Sequence, residues 1–466
     1  MAHAPDTPGA FVSPPLTLDA AALFTDLYEL TMGAAYFREG LAGSATFSLF
    51  VRRLPPERGF LVAAGLEEAL EYLRTFRMSA DALDYLDSLD RFEPRFLDYL
   101  ETLRFTGDVR AVREGTVVFP DEPLLEVTAP LIEAQLVETA LIAFCHLQTV
   151  QASKAARCVL AARGCMLAEF GLRRSHGMDA GMKAARAAML AGFNSSSNVL
   201  AGLTYGVPLS GTMAHSFITA FSRERDAFLA YARAFPDHAV LLLDTYDTVA
   251  AAHEAVEVAR TLAVEGHRLR GVRLDSGDLF GLSREVRAIL DAGDCAYVPI
   301  IVSGGLDEHD IDALLDAGAP IEGFGIGTRL NVSADAPSLD MVYKLVALDG
   351  RDVLKLSPGK ETWVGAKQVY RRIGARGRFK GDVLALDGES LPRRTLPLLE
   401  PAMHRGELLR DHPLLADLRA YCAHQLEMLP DGVRRLREAD VYPVKPSAAL
   451  LARQKRARLE VAGRKS

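Results

Sequence analysis

From about residue 165 to 338 the chain repeats one rhythm: a short apolar run, a polar tip, then an Ala-rich helical stretch. The runs lie at 165–170, 207–210, 239–243, 271–274, 298–302 and 321–324, with helical stretches such as 178–191, 247–264 and 306–317 between them. A strand that is apolar throughout buries both faces, and strands separated by helices run parallel. That restricts the segment to an α/β barrel or a doubly wound sheet. Six or seven units are visible where a regular barrel has eight. The expectation is therefore an irregular (β/α) barrel over 131–338, entered through two long helices in 131–163.

The flanking segments have a different pattern. Helical spacing covers 25–37, 66–77 and 80–103, and alternating strands occupy 45–51, 59–62, 109–112 and 115–119. Alternation returns at 341–348, 353–356, 367–371 and 382–386. These late strands are expected to rejoin the early ones, so that the barrel is inserted into an α/β (α+β) layer domain built from N-terminal and C-terminal segments. The division is then a disordered leader at 1–18, the layer domain at 19–130, the catalytic barrel at 131–338, and a return to the layer at 339–466 with a C-terminal helical segment.

Composition narrows the function. With 466 residues the chain exceeds what one core holds. Its net charge of −8 argues against a nucleic-acid partner, yet a few arginines can still make one cleft positive for a small anion. The basic residues Arg453, Lys455, Arg456, Arg458, Arg464 and Lys465 read as a solvated helix end. Five scattered cysteines without CxxC spacing suit a reducing compartment. No signal-peptide pattern opens the chain, and no apolar run reaches the ~20 residues of a membrane helix. A cytoplasmic protein with no membrane contact is expected.

In parallel α/β folds the site forms on the loops after the strands. The tips here are Glu169 with Arg173 and Arg174; Ser210, Gly211 and Thr212 with His215; Asp244 to Asp247; Asp275 to Asp278; Ser303, Gly304 and Gly305; and Gly325, Gly327 and Thr328. The two glycine tips suit phosphate, since backbone N–H groups cradle it and glycine lets it approach. One such tip alone would as readily be a tight turn. No GxxxxGK[ST] loop is present, which excludes a Walker-type nucleotide site. Arg273 and Asp275 lie two apart on one strand face, a pairing that suits a ribose hydroxyl, a Mg²⁺ and an anion clamp. The plainer reading is an Asp that caps the next helix and an Arg that pairs with it. His215, beside a Gly-Thr turn, is placed to take a phosphoryl group, although a lone His is more often structural.

These motifs, with Thr25, Asp26, Tyr28 and Thr31 near the start and the stretch from Phe193 through Asn198 to Gly202, occur in the order and rough spacing of the nicotinate phosphoribosyltransferase family. The chain resembles that family from Thr25 to Val444. The resemblance implies a type II phosphoribosyltransferase fold and a homodimer with shared active sites. It also implies the synthesis of nicotinate mononucleotide from nicotinate and 5-phosphoribosyl-1-pyrophosphate, with Mg²⁺ as cofactor and ATP as co-substrate, in NAD biosynthesis. His215 would be the phosphohistidine. Tyr28, from the partner, and Phe170 would sandwich the pyridine ring, with Arg173, Thr212 and Arg273 around the nicotinate. Asp275 would hold the ribose hydroxyls; Ser303, Gly304, Gly305, Gly325, Gly327 and Thr328 would hold the 5′-phosphate. Arg52 would face pyrophosphate or ATP, with Lys355, Lys360 and Lys367 as weaker candidates. The metal ligands are not assigned.

Asn198 would decide between acid and amide. Related nicotinamide enzymes carry an Asp there, and a carboxylate facing nicotinate would cost about 1–4 kcal/mol at a separation of about 4 Å. Thr362, Trp363 and Val364 depart from the proline-glycine turn the family pattern places before Gly365, which weakens the assignments to Lys360 and Lys367. Two rivals share parts of this reading. One is a quinolinate phosphoribosyltransferase without ATP coupling, against which the Gly-Thr-Met-Ala-His segment ending at His215 argues. The other is a catalytically dead phosphoribosyl-binding sensor, which should have lost a key side chain.

Overall fold

A computed structural model describes residues 21–357, 361–390 and 394–463. The leader at 1–18, Lys360, Arg464 and Lys465 lie outside the described residues.

Five of the apolar runs, with the unforeseen pair Ser195–Ser196 at the edge, form a six-stranded parallel sheet in the order Ser195–Ser196, Met166–Glu169, Gly323–Ile326, Ile300–Val302, Gly271–Leu274, Val240–Leu242. From Val240 onward each strand pairs with the next in sequence, and the last pairs back onto Met166–Glu169. That is barrel order, but no pairing joins Ser195–Ser196 to Val240–Leu242 among the described residues, so the barrel stays open. This bears out an irregular, incomplete barrel. The run at 207–210, expected as a strand, makes only one parallel bridge, Leu209 to Ser196. Pro208 has no N–H to give a ladder and contributes only its carbonyl, to Ser196 N at 3.0 Å.

The early and late strands share a seven-stranded antiparallel sheet: Arg351–Asp352, Met341–Leu348, Ser44–Val51, Pro123–Pro130, Asp108–Ala111, Glu400–His404, Glu407–Leu408. A layer built from both ends of the chain is therefore correct, with three corrections. The early runs at 59–62 and 115–119 pair only with each other, Leu61–Val62 against Val117–Val118. Lys367–Ile373 and Phe379–Leu386 do not join the seven-stranded sheet either. They form a separate four-stranded sheet with Thr395–Pro397 and Val444–Pro446. The run at 353–356 is not a strand; the hairpin partner of Met341–Leu348 is Arg351–Asp352.

Two helical expectations also change. The stretch 80–103 is two helices, Ala80–Ser88 and Pro94–Thr102, because Pro94 starts a new helix and cannot continue one. The stretch 131–163 is one short helix, Leu131–Leu136, and one long one, Glu138–Ala162. The long helix is buried on most of its faces, and its buried side chains include the polar Gln148, Gln151, Lys154 and Arg157. It packs against Met178–Ala191 and Glu308–Asp316 of the barrel and Leu66–Thr75 of the layer. One apolar core fills the barrel and a second fills the layer domain.

The C-terminal helix Ala448–Gly463 is less solvated than its charge suggests. Lys455 and Arg456 are exposed, but Arg453 pairs with Asp352 and Arg458 with Glu361. No helix among the described residues is long and apolar enough to cross a membrane.

Candidate active site

The strand tips converge on one cavity of about 580 Å³. Phe170, Arg173, Thr212, His215, Arg273, Asp275, Ser303, Gly304, Gly305, Gly325, Gly327 and Thr328 all line it. Eighteen residues, from the ends of all six strands and the 211–215 segment, meet here because the strands are parallel and end on the same side.

Arg273 is the hub. Its Nε donates to Ser303 Oγ at 2.9 Å, Nη1 to Thr212 Oγ1 at 2.8 Å, and Nη2 to Asp275 Oδ1 at 2.7 Å. The guanidinium carbon also sits 5.8 Å from the centre of the Phe170 ring. A planar five-donor group is thus locked by three elements and carries its positive charge into the cavity. Burial would push the Asp275 carboxyl up. Hydrogen bonds from Ser303 and Arg273 and the charges of Arg273 and His215 outweigh it and hold Asp275 below the usual carboxylate range. Asp275 is thus anionic, oriented and half-buried.

Asp244 supports this centre from the neighbouring tip. Its Oδ2 accepts from Asp275 N at 3.1 Å and from Ser276 Oγ at 2.5 Å, while Oδ1 is buried with no hydrogen-bond partner. Asp278 behaves as the plainer reading has it: it caps the helix Leu279–Ala292 through Gly281 N. His215 starts the short helix His215–Thr219, and its Nδ1 lies 3.1 Å from Thr245 Oγ1.

Glycine is required at two tips. Gly304 has φ +104°, and a Cβ there would stand 1.9 Å from the Asp275 carbonyl oxygen. A Cβ on Gly325 would meet the Phe170 ring at 2.5 Å, so this glycine lets the ring lie against the strand end. Glu169, fully buried, is no cavity residue. Its carboxylate accepts from Gly171 N and Ser196 Oγ, both at 2.5 Å, and fixes the loop that carries Phe170.

Other candidates stand apart from the cavity. Tyr28 is exposed on the helix Leu27–Arg38 and lines no part of it. Arg52 pairs weakly with Asp340, at 3.5 Å, outside the cavity, and Lys355 is exposed elsewhere. Lys367 is buried: Nζ lies 3.1 Å from Glu126 and donates to Ser48 Oγ and the Gly365 carbonyl, so it faces no phosphate. Asn198 does not face the cavity either. It caps the helix Val199–Tyr205 through Ala201 N, donates to the Gly181 carbonyl at 3.2 Å and is almost fully buried, while Ser197 occupies the rim. The sequence reading gave no role to Asp244, Thr245, Arg174 or Ser197; their position at strand tips was the available signal.

An open α/β barrel with an arginine–aspartate hub and paired glycine tips defines the class: an α/β enzyme fold whose charged and polar groups gather at the strand ends. The chain matches the family models described as nicotinate phosphoribosyltransferase N-terminal domain over 23–146, the nicotinate phosphoribosyltransferase family over 165–369 and its C-terminal domain over 390–454. It is 49% identical over 441 residues to nicotinate phosphoribosyltransferase pncB2 of Mycobacterium tuberculosis, covering 94% of each chain. It is 38% identical to the Bacillus subtilis nicotinate phosphoribosyltransferase, over 91% of this chain and 93% of that one. The crystal structure of human nicotinic acid phosphoribosyltransferase superposes with a TM-score of 0.82 at 34% identity, covering 92% of this chain and 98% of that one. The chain belongs to the nicotinate phosphoribosyltransferase family, an enzyme family.

Proposed function

We propose that this cavity joins nicotinate to 5-phosphoribosyl-1-pyrophosphate, giving nicotinate mononucleotide and pyrophosphate, as a step of NAD salvage, with ATP hydrolysis coupled through His215. The observation that carries the reading is the hub itself: Arg273 beside the Phe170 ring, bonded to both Asp275 and the Ser303 tip.

In this reading the pyridine ring stacks on Phe170. Its carboxylate meets Arg173, Arg174 and the unspent N–H of Arg273, so the choice of acid over amide rests on these arginines and not on Asn198. Asp275 receives the ribose hydroxyls, and the tips after Ile300–Val302 and Gly323–Ile326 receive the 5′-phosphate. The pyridine nitrogen attacks C1 of the ribose with its lone pair as the C1–O bond breaks, and the electron pair leaves on pyrophosphate. That nitrogen carries no proton, so no general base is needed; catalysis is positioning and charge stabilisation.

The ATP step uses the imidazole. Thr245 holds one ring nitrogen, and the other, which has no hydrogen-bond partner among the described residues, attacks the γ-phosphorus of ATP. An N–P bond forms, ADP leaves, and water later releases phosphate.

Mg²⁺ belongs to the proposal. The unpartnered Asp244 Oδ1 and the adjacent Asp275 are a fitting donor set, since Mg²⁺ takes one or two carboxylates and fills its shell with phosphates and water. When bound, it neutralises charge on the departing pyrophosphate.

The proposed assembly is a homodimer that shares its sites. Tyr28 is exposed with Phe24 and Leu27, and Val199, Leu200 and Leu203 are exposed on the helix that follows the cavity rim. Apolar surface of this kind marks an interface.

The test is pyrophosphate release from nicotinate and 5-phosphoribosyl-1-pyrophosphate, with and without ATP, in the wild type and His215→Ala. The reading expects ATP to stimulate the wild type only, and labelled ATP to leave acid-labile phosphate on His215. Turnover of quinolinate in place of nicotinate, with no label on His215, would replace it.

A further inference from the structure

Downstream of the first glycine tip lies a buried carboxylate, and downstream of the second a solvent-accessible one; the proposed chemistry uses neither. Glu308 opens the helix Glu308–Asp316 three residues after Gly305 and is fully buried. Two cations of the long helix Glu138–Ala162 meet it: Lys154, and Arg157 through Nε at 2.7 Å. Lys154 Nζ also reaches Asp335 at 3.0 Å. Asp335 is gripped by Arg58, whose Nε and Nη2 each donate at 3.0 Å, and Arg58 Nη2 also donates to Ser333 Oγ at 2.6 Å. Ser333 and Asp335 follow the short helix Thr328–Asn331, which begins at the second tip. Arg329 of that helix closes the circuit, donating to Asp307 at 2.8 Å and Asp310 at 3.0 Å beside the first tip.

Lys154, Arg157 and Arg58 are almost wholly buried, as is Glu308. A buried ion pair is costly to desolvate, and well-packed apolar side chains would often be as stable. Its distinctive product is fixed geometry. The tips need it, because Gly304, Gly305 and Gly327 leave their own backbones soft, while a misplacement of about 1 Å in a positioning group can cost about 10²-fold.

We propose that Lys154, Arg157, Glu308, Asp335 and Arg58 form a positioning network that sets the spacing of the two glycine tips, and so the affinity for the sugar phosphate, without touching the substrate. The inference rests on the reading above that these tips hold the 5′-phosphate. The opposing charges in the network agree with it. Burial would push the Asp335 carboxyl up, but Arg58 and Lys154 outweigh burial and hold it far below the usual range.

Glu308→Gln keeps the shape and removes the charge. The full-length chain is to be titrated calorimetrically with ribose 5-phosphate, and KM measured separately for nicotinate and for 5-phosphoribosyl-1-pyrophosphate. The dissociation constant for ribose 5-phosphate and the KM for the donor should rise by about tenfold or more. The KM for nicotinate should stay within about twofold, below the scale of a lost contact. Unchanged donor affinity, or both KM values rising together, would overturn the proposal and leave the network merely structural. Should Glu308→Gln not fold by circular dichroism, Asp335→Asn is judged by the same criterion. A wild type that makes product but does not bind ribose 5-phosphate overturns the network's role. A wild type that does neither overturns the functional reading along with it.

Discussion

Asp275 and Gly304 share one contact, and each constrains the other: the Asp275 carbonyl lies where a Cβ on Gly304 would have to go. Gly304→Ala should therefore cost about 1–3 kcal/mol of stability and weaken donor binding, by urea unfolding and KM. Gly305→Ala, with φ +79° but open space around it, should cost only the backbone strain of about 1–2 kcal/mol. Asp275→Asn would keep one acceptor oxygen for Arg273 and Ser303 but remove the charge that pairs with the guanidinium and turn the other oxygen into a donor, and should lower kcat/KM by about 10²-fold or more. The pH dependence follows from the direction of the Asp275 shift. Its folded pKa is depressed, so the stability it contributes is fully present above its unfolded value and is lost as pH falls through the lower folded one. The acid limb of the pH–rate profile should then lie below the ordinary Asp range near ~3.9 if Asp275 sets it; a limb at or above that value would assign it to another group. At this scale the strand-tip residues were legible because polar groups interrupt apolar runs. The burial of Lys367 and Asn198 was not, because a lysine or asparagine in a row of letters does not say which long-range partner, Glu126 or the Gly181 carbonyl, will claim it.

The elements show the same division. Five of the six barrel strands could be read to within a residue or two, since a doubly buried strand is apolar along its length; the sixth, the short polar pair Ser195–Ser196, carries no such signal. Pro123–Pro130, at the centre of the layer sheet, escaped notice because prolines stand at both its ends, with Glu126 in the middle of the run. In the fold that glutamate is no breaker: it accepts from Ser48 Oγ at 2.6 Å and from Arg110 at 2.7 Å. The separate four-stranded sheet was equally hidden, because what sets it apart is a buried charge group and not a pattern. Arg371 binds Asp382 through Nε and Nη2, approaches Glu122 at 3.8 Å, and bonds Gln425 at 3.0 Å. Burial and then the nearby Asp382 push Glu122 well above its ordinary value. Removing Arg371 would strand two carboxyls in a closed interior. Arg371→Met should destabilise the chain by about 3–5 kcal/mol, and the double variant with Asp382→Leu should recover much of that loss. A single variant no less stable than wild type in urea would mean that the packing of Phe119, Phe379 and Tyr442 holds this sheet unaided.

At the scale of the whole molecule, the cavity is basic within a chain of net charge −8, so its field is local and its completion must come from nearby surface. The barrel supplies Phe170, Arg273, Asp275, His215 and the glycine tips, while Tyr28, Arg52 and Lys355 sit on the layer domain away from that cavity. Either these three have no part in the chemistry, or a second copy presents them to the first. The two cases differ in what mixing does. Asp275→Asn disables the barrel half of a site and Tyr28→Ala the proposed partner half. If sites are shared, reassociation of equal amounts gives half heterodimers by random pairing, and each heterodimer rebuilds one site with both halves native. About a quarter of wild-type activity should then return, from two preparations that separately have little. If each chain completes its own site, the mixture should show no more than the average of the two variants. Activity above that average which disappears on dilution below the dimer dissociation constant would assign Tyr28 to the partner's cavity.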